Sequence, residues 1–465
     1  MKKITTTMKE VQFLNPMIDT QRYSLDQHGS GNLFADTFAD RLRYVTDTKS
    51  WFGYDGATWQ EDDSEIIAEQ LASSLLTFLK DLGDPNLDEL IEALSKYSGR
   101  KTMIKEARRV NPVRLTEFDN SPYLLNCHNC TLDLSGTKIK QLSHSPDHLL
   151  TKTTNVIYDP KAHCERWLKF VDEIMIGDKG LIRYFQKALG YALIGDTSKE
   201  CFFLLYGATT RNGKGTTTET ILHLLGDYGK TLPPNRLAMG SYDSVSTSSE
   251  FARLVGTHYV NISEPKKGLK LNVALLKQLT GGDKITVQHK FKKPFEIRPY
   301  FKIFINTNHY LEIDDDTIFT SDRVKMIPFL KHFDEIERDE SLKQQFKEQE
   351  NMSGILNWLL DGYLLLKKEG LEPPDKAVEA LNNYRKECDT IALFMEHSLN
   401  KAAKSKIKTS ELYVKYLEWC VEADIDKVSQ KEFVAKLKEK QLVSRDGTDG
   451  NVVRGYKIKS PEKSP

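Results

Sequence analysis

The 465-residue sequence predicts an α/β protein centred on a parallel sheet, on three observations. CFFLLYG (from Cys201), THYVNIS (Thr257 to Ser263) and YFKIFIN (Tyr300 to Asn306) are short, continuous apolar runs, as expected of strands covered on both faces. The segments between them read as helices, and strands alternating with helices build a parallel sheet. The first run ends in a glycine-rich turn, GATTRNGKG from Gly207, that leads directly into a helical pattern. These bounds put the core at residues 196–335.

The remaining elements follow in order. Residues 1–31 are polar and irregular, as in a flexible tail, and residues 32–195 read as an α+β domain. Within that domain WFGYDGATW (Trp51 to Trp59) has two aromatic-rich stretches turned by Asp55-Gly56, the pattern of a hairpin. Further on, SPYLLNCHNCTLDLSGTKIKQL alternates in short strands with Gly/Ser turns, and Tyr158-Asp159-Pro160 breaks the chain before a helical run from Glu165 toward Ile194. After the core, residues 336–400 form a helical extension. Residues 401–465 read as two helices from Thr409 and then VSRDGTDGNVVRGYKIK, two strands around a Gly/Asp turn, which is a winged-helix-like pattern.

Composition narrows the function classes. Hydrophobic residues at 39% and charged residues at 28% describe an ordinary globular chain. Lys+Arg and Asp+Glu both number 66, which excludes a uniformly basic nucleic-acid binder and leaves only local clusters of charge. No apolar run reaches the ~18 residues of a membrane span, and MKKITTTMKEVQF has no apolar core for a secretory signal. Six scattered cysteines make no disulfide framework, so a reducing cytoplasm is expected. Cys127 and Cys130, with His128 between them and His163 and Cys164 beyond, lack a second paired half-site and read as buried thiols rather than zinc ligands.

The glycine-rich turn carries the chemistry. A phosphate loop needs backbone N–H groups turned toward an anion, a lysine for the β- and γ-phosphates and a hydroxyl for Mg²⁺. Gly207, Gly213 and Gly215, with Asn212 beside them, suit the turn, and Lys214 is the lysine. Five residues rather than four separate Gly207 from Gly213, and glycine follows the lysine, so the hydroxyl falls to Thr216 or Thr217. ATP with Mg²⁺ is the expected ligand. Glu264, after the second apolar strand, is placed to order a Mg²⁺-bound water or act as base. Asn308, after the third, offers an amide to orient that water. Arg323, in SDRVKMIPF, is placed to reach a neighbouring subunit's nucleotide.

Together these segments resemble the phage and plasmid primase-helicase family, the superfamily 3 helicases that include the poxvirus helicase-primase. The matching pieces run in order: NCTLDL, YDPKAHCERWLKFVDEI, YFQKALGYALIGDTSKECFFLLYG, NGKGT, SEP, LLKQLTGGDKITVQHKFKKPFEIRP, FINTNH and DRVKMIPF. The resemblance implies a P-loop, AAA+-like core in which Lys214 is the Walker A lysine, Glu264 the Walker B acid, Asn308 the sensor and Arg323 the finger. Two departures stand out. Family members often carry Trp-Arg-Arg where this chain has Ser321-Asp322-Arg323, and Ser263-Glu264 replaces two acids. The length suggests the helicase portion without the primase domain of longer relatives.

From Lys266 through Lys302 ten Lys/Arg face two acids, a local excess of +8. ITVQHKFKKPF alternates like a hairpin with His289, Lys290, Lys292 and Lys293 near its tip, a candidate phosphate contact. In the resembled helicases such a hairpin enters the central pore. Residues 401–459 hold fourteen Lys/Arg and nine acids, with Arg445, Arg454 and Lys457 on the wing strands as further DNA contacts. The expected protein is an ATP-dependent DNA helicase of a phage or mobile element. It would act as a homo-oligomeric ring, a hexamer, on single-stranded and forked DNA in a bacterial cytoplasm, with a separate primase. The competing readings are an ATP-switched initiator or loader that binds DNA through the winged helix, and an ATPase acting on RNA or on DNA packaging.

Overall fold

The computed structural model describes residues 23–459 except 241–248, 289, 291–293, 314–316, 424–426 and 448–449. Helix α1 (Gln27–Thr37) is capped by the Asp26 carboxylate, which accepts from the Gly29 N–H at 2.7 Å. It begins inside the stretch to residue 31 that the sequence assigns to a tail. The reason is tertiary: Leu33 and Phe34 are buried, and that packing overrides the poor helix propensity of Gly29, Ser30 and Gly31. Strands β1 (Leu42–Val45), β2 (Ser50–Tyr54) and β3 (Trp59–Asp62) follow as an antiparallel sheet. Asp55 turns the expected hairpin by accepting from the N–H groups of Ala57 and Thr58 at 2.8 and 2.7 Å. Helices α2 (Ile66–Leu82), α3 (Asp88–Ser95) and α4 (Tyr97–Ala107) close this first core, with α4 against α1.

A second antiparallel sheet, β4 (Leu124–Asn126), β5 (Thr131–Asp133) and β6 (Lys140–Leu142), leads to α5 (Glu165–Ile174) and α6 (Lys179–Tyr191). The long helical run read from Glu165 is thus two helices. Ile176 and Gly177 both take positive φ between them, and the Asp178 carboxylate restarts the helix by accepting from Leu181 N–H.

The central sheet contains β7 (Phe202–Tyr206), which leads into α7 (Lys214–Leu225), then β8 (Gly229–Thr231) and, past the short α8 (Ser249–Ala252), β9 (Tyr259–Ser263). Helix α9 (Val273–Thr280) and a hairpin of β10 (Ile285–Val287) and β11 (Phe295–Ile297) precede β12 (Lys302–Thr307). The short α10 (Thr317–Thr320) precedes β13 (Val324–Pro328). The order is β13-β7-β12-β9-β8 with every pairing parallel. All three apolar runs are buried strands, as the sequence predicts. Two strands went unread: β8 is too short for a period, and β13 is a five-residue edge strand.

The short α11 (Leu342–Gln345), then α12 (Gln349–Glu369) and α13 (Asp375–Cys388), form the helical extension. The C-terminal unit begins at α14 (Thr390–Ser398) rather than at residue 401, because Ile391 and Phe394 join its core. Strand β14 (Leu399–Lys408), α15 (Thr409–Ala423), α16 (Gln430–Glu439), β15 (Val443–Asp446) and β16 (Gly450–Ile458) complete it as an antiparallel sheet of order β14-β16-β15 under three helices. Among the described residues no helix is long and apolar enough to cross a membrane.

Candidate functional site

The site grows from the end of β7. Two glycines are required by the turn that follows it. Gly213 has φ 87°, and a Cβ there would also lie 2.5 Å from the Ile174 side chain of α5. A Cβ on Gly207 would meet the Asn212 amide and stand 3.0 Å from Lys214 Nζ. Asn212, buried, ties the turn by donating to Thr209 O at 2.5 Å. The chain then enters α7 at Lys214, whose first turn leaves backbone N–H groups free of intrahelical partners. Such a terminus is an anion site.

Lys214 is only 6% exposed, and Nζ donates to Asn308 Oδ1 at 2.6 Å and to Gly207 O at 3.2 Å. Desolvation lowers its pKa to about 8. Asn308 follows β12, the neighbour of β7. Glu264 follows β9, the neighbour of β12, and is exposed at φ 54° with its N–H donating to Asn306 O at 3.1 Å. These three residues, expected separately, line one cavity of about 430 Å³ at the C-terminal ends of the strands, where ligands of open α/β sheets bind. Arg211, Ser263, Asn306 and His309 share the lining. Sequence reading missed the network behind it. Asn306 Nδ2 reaches Asn261 Oδ1 at 3.0 Å, Ser263 Oγ at 3.2 Å and Thr218 Oγ1 at 3.2 Å. The available signal was helical spacing, since Thr218 lies one turn after Lys214.

The hydroxyls expected for Mg²⁺ fall elsewhere. Thr217 is buried with Oγ1 unpaired among the described residues, and Thr216 lines an adjoining cavity of about 380 Å³ with Gly213, Phe170 and Phe333. Gly215 lines the first cavity instead. The helix turns ~100° per residue, so Thr216, ~200° around α7 from Lys214, faces away from that cavity, while Thr217 is turned into the core. The structure thus brings neither threonine to the cavity of Lys214 and Glu264.

Arg323 stands at the start of β13, the end of the sheet opposite the glycine-rich turn, because Val324 pairs with Phe202 and Pro328 with Tyr206. It donates to Glu200 Oε2 at 2.5 Å and Thr280 Oγ1 at 3.0 Å, while Asp322 pairs with Lys325. It does not line its own chain's cavity.

The basic stretch is smaller than its count. Lys302 is 1% exposed, donates to Ile194, Asp196 and Tyr300 carbonyls and lies 4.8 Å over the Tyr191 ring. Its pKa is pushed down to about 7 by burial. Lys284 pairs with Glu296 at 3.2 Å across the β10–β11 hairpin. Lys290 is exposed at the turn, while His289, Lys292 and Lys293 lie outside the described residues. Of the expected wing contacts, Arg445 and Lys457 are exposed, and Arg454 is held by Asp446 at 2.8 Å and Ser444 at 3.0 Å. Cys127, Cys130 and Cys164 are buried in the core, and no group of three or more metal-ligating side chains occurs among the described residues.

Comparison with known proteins adds lineage. The D5 N terminal like family matches residues 31–176, a family of unknown function matches 205–323, and the Poxvirus D5 protein-like family matches 386–451. Two viral proteins, each named "Putative helicase", align with the chain. That of Acanthamoeba polyphaga mimivirus is 28% identical over 72% of this chain and 37% of its own length, and that of Frog virus 3 is 26% identical over 52% and 26%. The chain therefore spans about a third of the length of such relatives. The apo structure of the NrS-1 C terminal region aligns with 90% of this chain and 96% of that one, at 11% identity and TM-score 0.48. Matches to D5-type families bracket the glycine-rich core on both sides, and viral relatives run through the same span: the chain is similar to poxvirus D5-type proteins and to viral proteins named putative helicases.

Proposed function

We propose that this protein is an ATP-dependent DNA helicase of superfamily 3 that hydrolyses ATP in the cavity below β7, β9 and β12. The observation that carries the reading is the convergence of Lys214, Asn308 and Glu264, with Lys214 and Asn308 94 positions apart in the chain yet in direct contact. Lys214 and the N-terminus of α7 would hold the β- and γ-phosphates. Glu264 would order and deprotonate the attacking water, and Asn308 would orient it. Bound Mg²⁺ would neutralise phosphate charge, held through Glu264 with Ser263 beside it. The common phosphate loop carries its metal hydroxyl directly after the lysine; here that residue is Gly215, where a Cβ would meet nothing within 4 Å, leaving room for water. The adjoining cavity, walled by Phe170 and Phe333, suits the base, since no Phe, Tyr or Trp lines the first cavity.

Arg323, far from its own cavity, suits a role in the neighbouring subunit's site, in a hexameric ring. The β10–β11 hairpin would grip single-stranded DNA in the pore. The helix-strand-helix-helix-strand-strand order of the C-terminal unit supports a winged helix that binds DNA at forks. A primase is the expected partner. The relatives' names point to a viral replicon, and the bacterial host rests on the phage resemblance alone. The test is ATP-driven strand displacement on forked DNA. Wild type should displace the strand and Lys214→Ala should not; equal displacement by both removes the reading, and ATP hydrolysis without displacement favours the initiator alternative.

A further inference from the structure

The turn that carries Asn308 is fixed at both ends. On the strand side the Thr307 hydroxyl donates to His309 O at 2.5 Å and accepts from His309 N–H at 3.0 Å. On the far side Tyr310 enters a column of three tyrosines. Its ring stacks on Tyr206 at 4.5 Å and 13°, and on Tyr384 at 5.0 Å and 22°. Tyr206 is the last residue of β7, immediately before Gly207. Tyr384 is a buried residue of α13 whose hydroxyl donates to Leu311 O at 2.9 Å, and Phe319 meets its ring edge-on at 5.4 Å. The column thus joins the strand that feeds the glycine-rich turn, the loop after β12 and the helical extension. Between its clamps only Asn308 and His309 reach the cavity.

We infer that Tyr310 is a positioning residue: clamped between Tyr206 and Tyr384, it sets the Asn308 amide against Lys214 and so fixes where the nucleophilic water is held. The ring does not line the cavity. It acts through the backbone of the turn two residues away. Parallel stacking on both faces is the relevant geometry, since a ring held on two sides cannot rotate out and let the turn relax. Burial, with the Tyr206 hydroxyl beside it, pushes the Tyr310 pKa up.

The inference rests on the nucleotide reading, so its test carries a separate control. Wild type, Lys214→Ala, Tyr310→Ala, Tyr310→Leu and Tyr310→Phe are compared for binding of a fluorescent ATP analogue, for ATP turnover and for thermal melting. Tyr310→Ala and Tyr310→Leu should keep nucleotide affinity within about threefold and lose kcat by roughly 10–100-fold, the scale set by ångström-sized misplacement. Tyr310→Phe, which keeps both stacks, should recover most of the turnover. If Tyr310→Ala does not fold, Tyr310→Leu still decides, because it fills much of the volume without a stacking face. Wild-type turnover in Tyr310→Leu, or equal loss of affinity and kcat, makes Tyr310 a packing residue and overturns the inference. Undiminished turnover in Lys214→Ala is a different result: it removes the nucleotide reading and the inference with it.

Discussion

At Lys214 burial and ligand binding pull one ammonium in opposite directions. Desolvation lowers its pKa to about 8, and a bound anion would raise it again. Nucleotide binding above pH 8 should therefore take up a proton, and affinity should fall as pH rises through that value. Titration calorimetry in two buffers of different ionisation enthalpy checks this: buffer-independent heats at pH 9 would show no proton uptake. The same shift has a stability sign. The unfolded lysine titrates near 10.5 and the folded one near 8, so the unfolded chain binds the extra proton between them and this group's contribution to stability rises with pH across that window. Glu264→Gln should still bind nucleotide but hydrolyse it at least ~10²-fold more slowly, since an amide cannot serve as base. Normal turnover would assign water activation elsewhere. Lys214 and Glu264 were legible from local pattern alone, a lysine in a glycine turn and a carboxylate after an apolar strand. The placement of Thr216 and Thr217 was not, because one residue of helical phase decides which cavity a side chain enters.

Among elements, α6 and α12 show how closely two helices must approach to carry the core beside the site. Gly190 and Gly362 meet at their crossing, where a Cβ on Gly362 would run into the Gln186 carbonyl. Gly362→Ala should therefore destabilise the protein by about 1–3 kcal/mol, the usual cost of overpacking, read as a lower melting temperature with the far-UV spectrum unchanged. A melting temperature equal to wild type would mean the helices can separate freely. The β10–β11 hairpin invites a different measurement. Replacing Lys290, Lys292 and Lys293 together should weaken single-stranded DNA binding and flatten its salt dependence, because fewer counterions are released. An unchanged salt slope returns the hairpin to an ordinary solvated turn. Its strands were legible from alternation, whereas the burial of Lys302 was not. A lysine within a strand counts as surface charge in any tally of residues, and it takes the carbonyls of Ile194, Asp196 and Tyr300 and the face of the Tyr191 ring to explain why it lies inside.

For the whole molecule, Arg323 is the residue whose role depends on assembly. Within one chain it is bound to Glu200 and Thr280 at the end of the sheet remote from Lys214. If it completes a neighbour's site, Arg323→Ala should keep nucleotide affinity and lose turnover by up to ~10³-fold. Mixing Arg323→Ala with Lys214→Ala should then restore part of the activity, because some interfaces regain both halves. No recovery at any ratio, in rings shown to exchange subunits, would assign Arg323 the purely internal role its contacts with Glu200 and Thr280 describe.

What the sequence determined by itself was short in range. Apolar runs became β7, β9 and β12, the Asp55 turn became a hairpin, and the glycine turn became the mouth of a helix, because each depends on residues within a few positions. Tertiary structure decided the rest. It recruited β8, β13 and β14, whose segments carry little period of their own but complete sheets begun elsewhere. It set Lys214 against Asn308, Arg323 against Glu200, and Tyr206, Tyr310 and Tyr384 into one column. Those partners are 74 to 123 positions apart, 94 for Lys214 and Asn308, with Tyr206 and Tyr310 between. Contacts at such separations follow from strand order and helix packing rather than from local propensity, which is why the strands and the loop were readable in advance and the geometry between them was not.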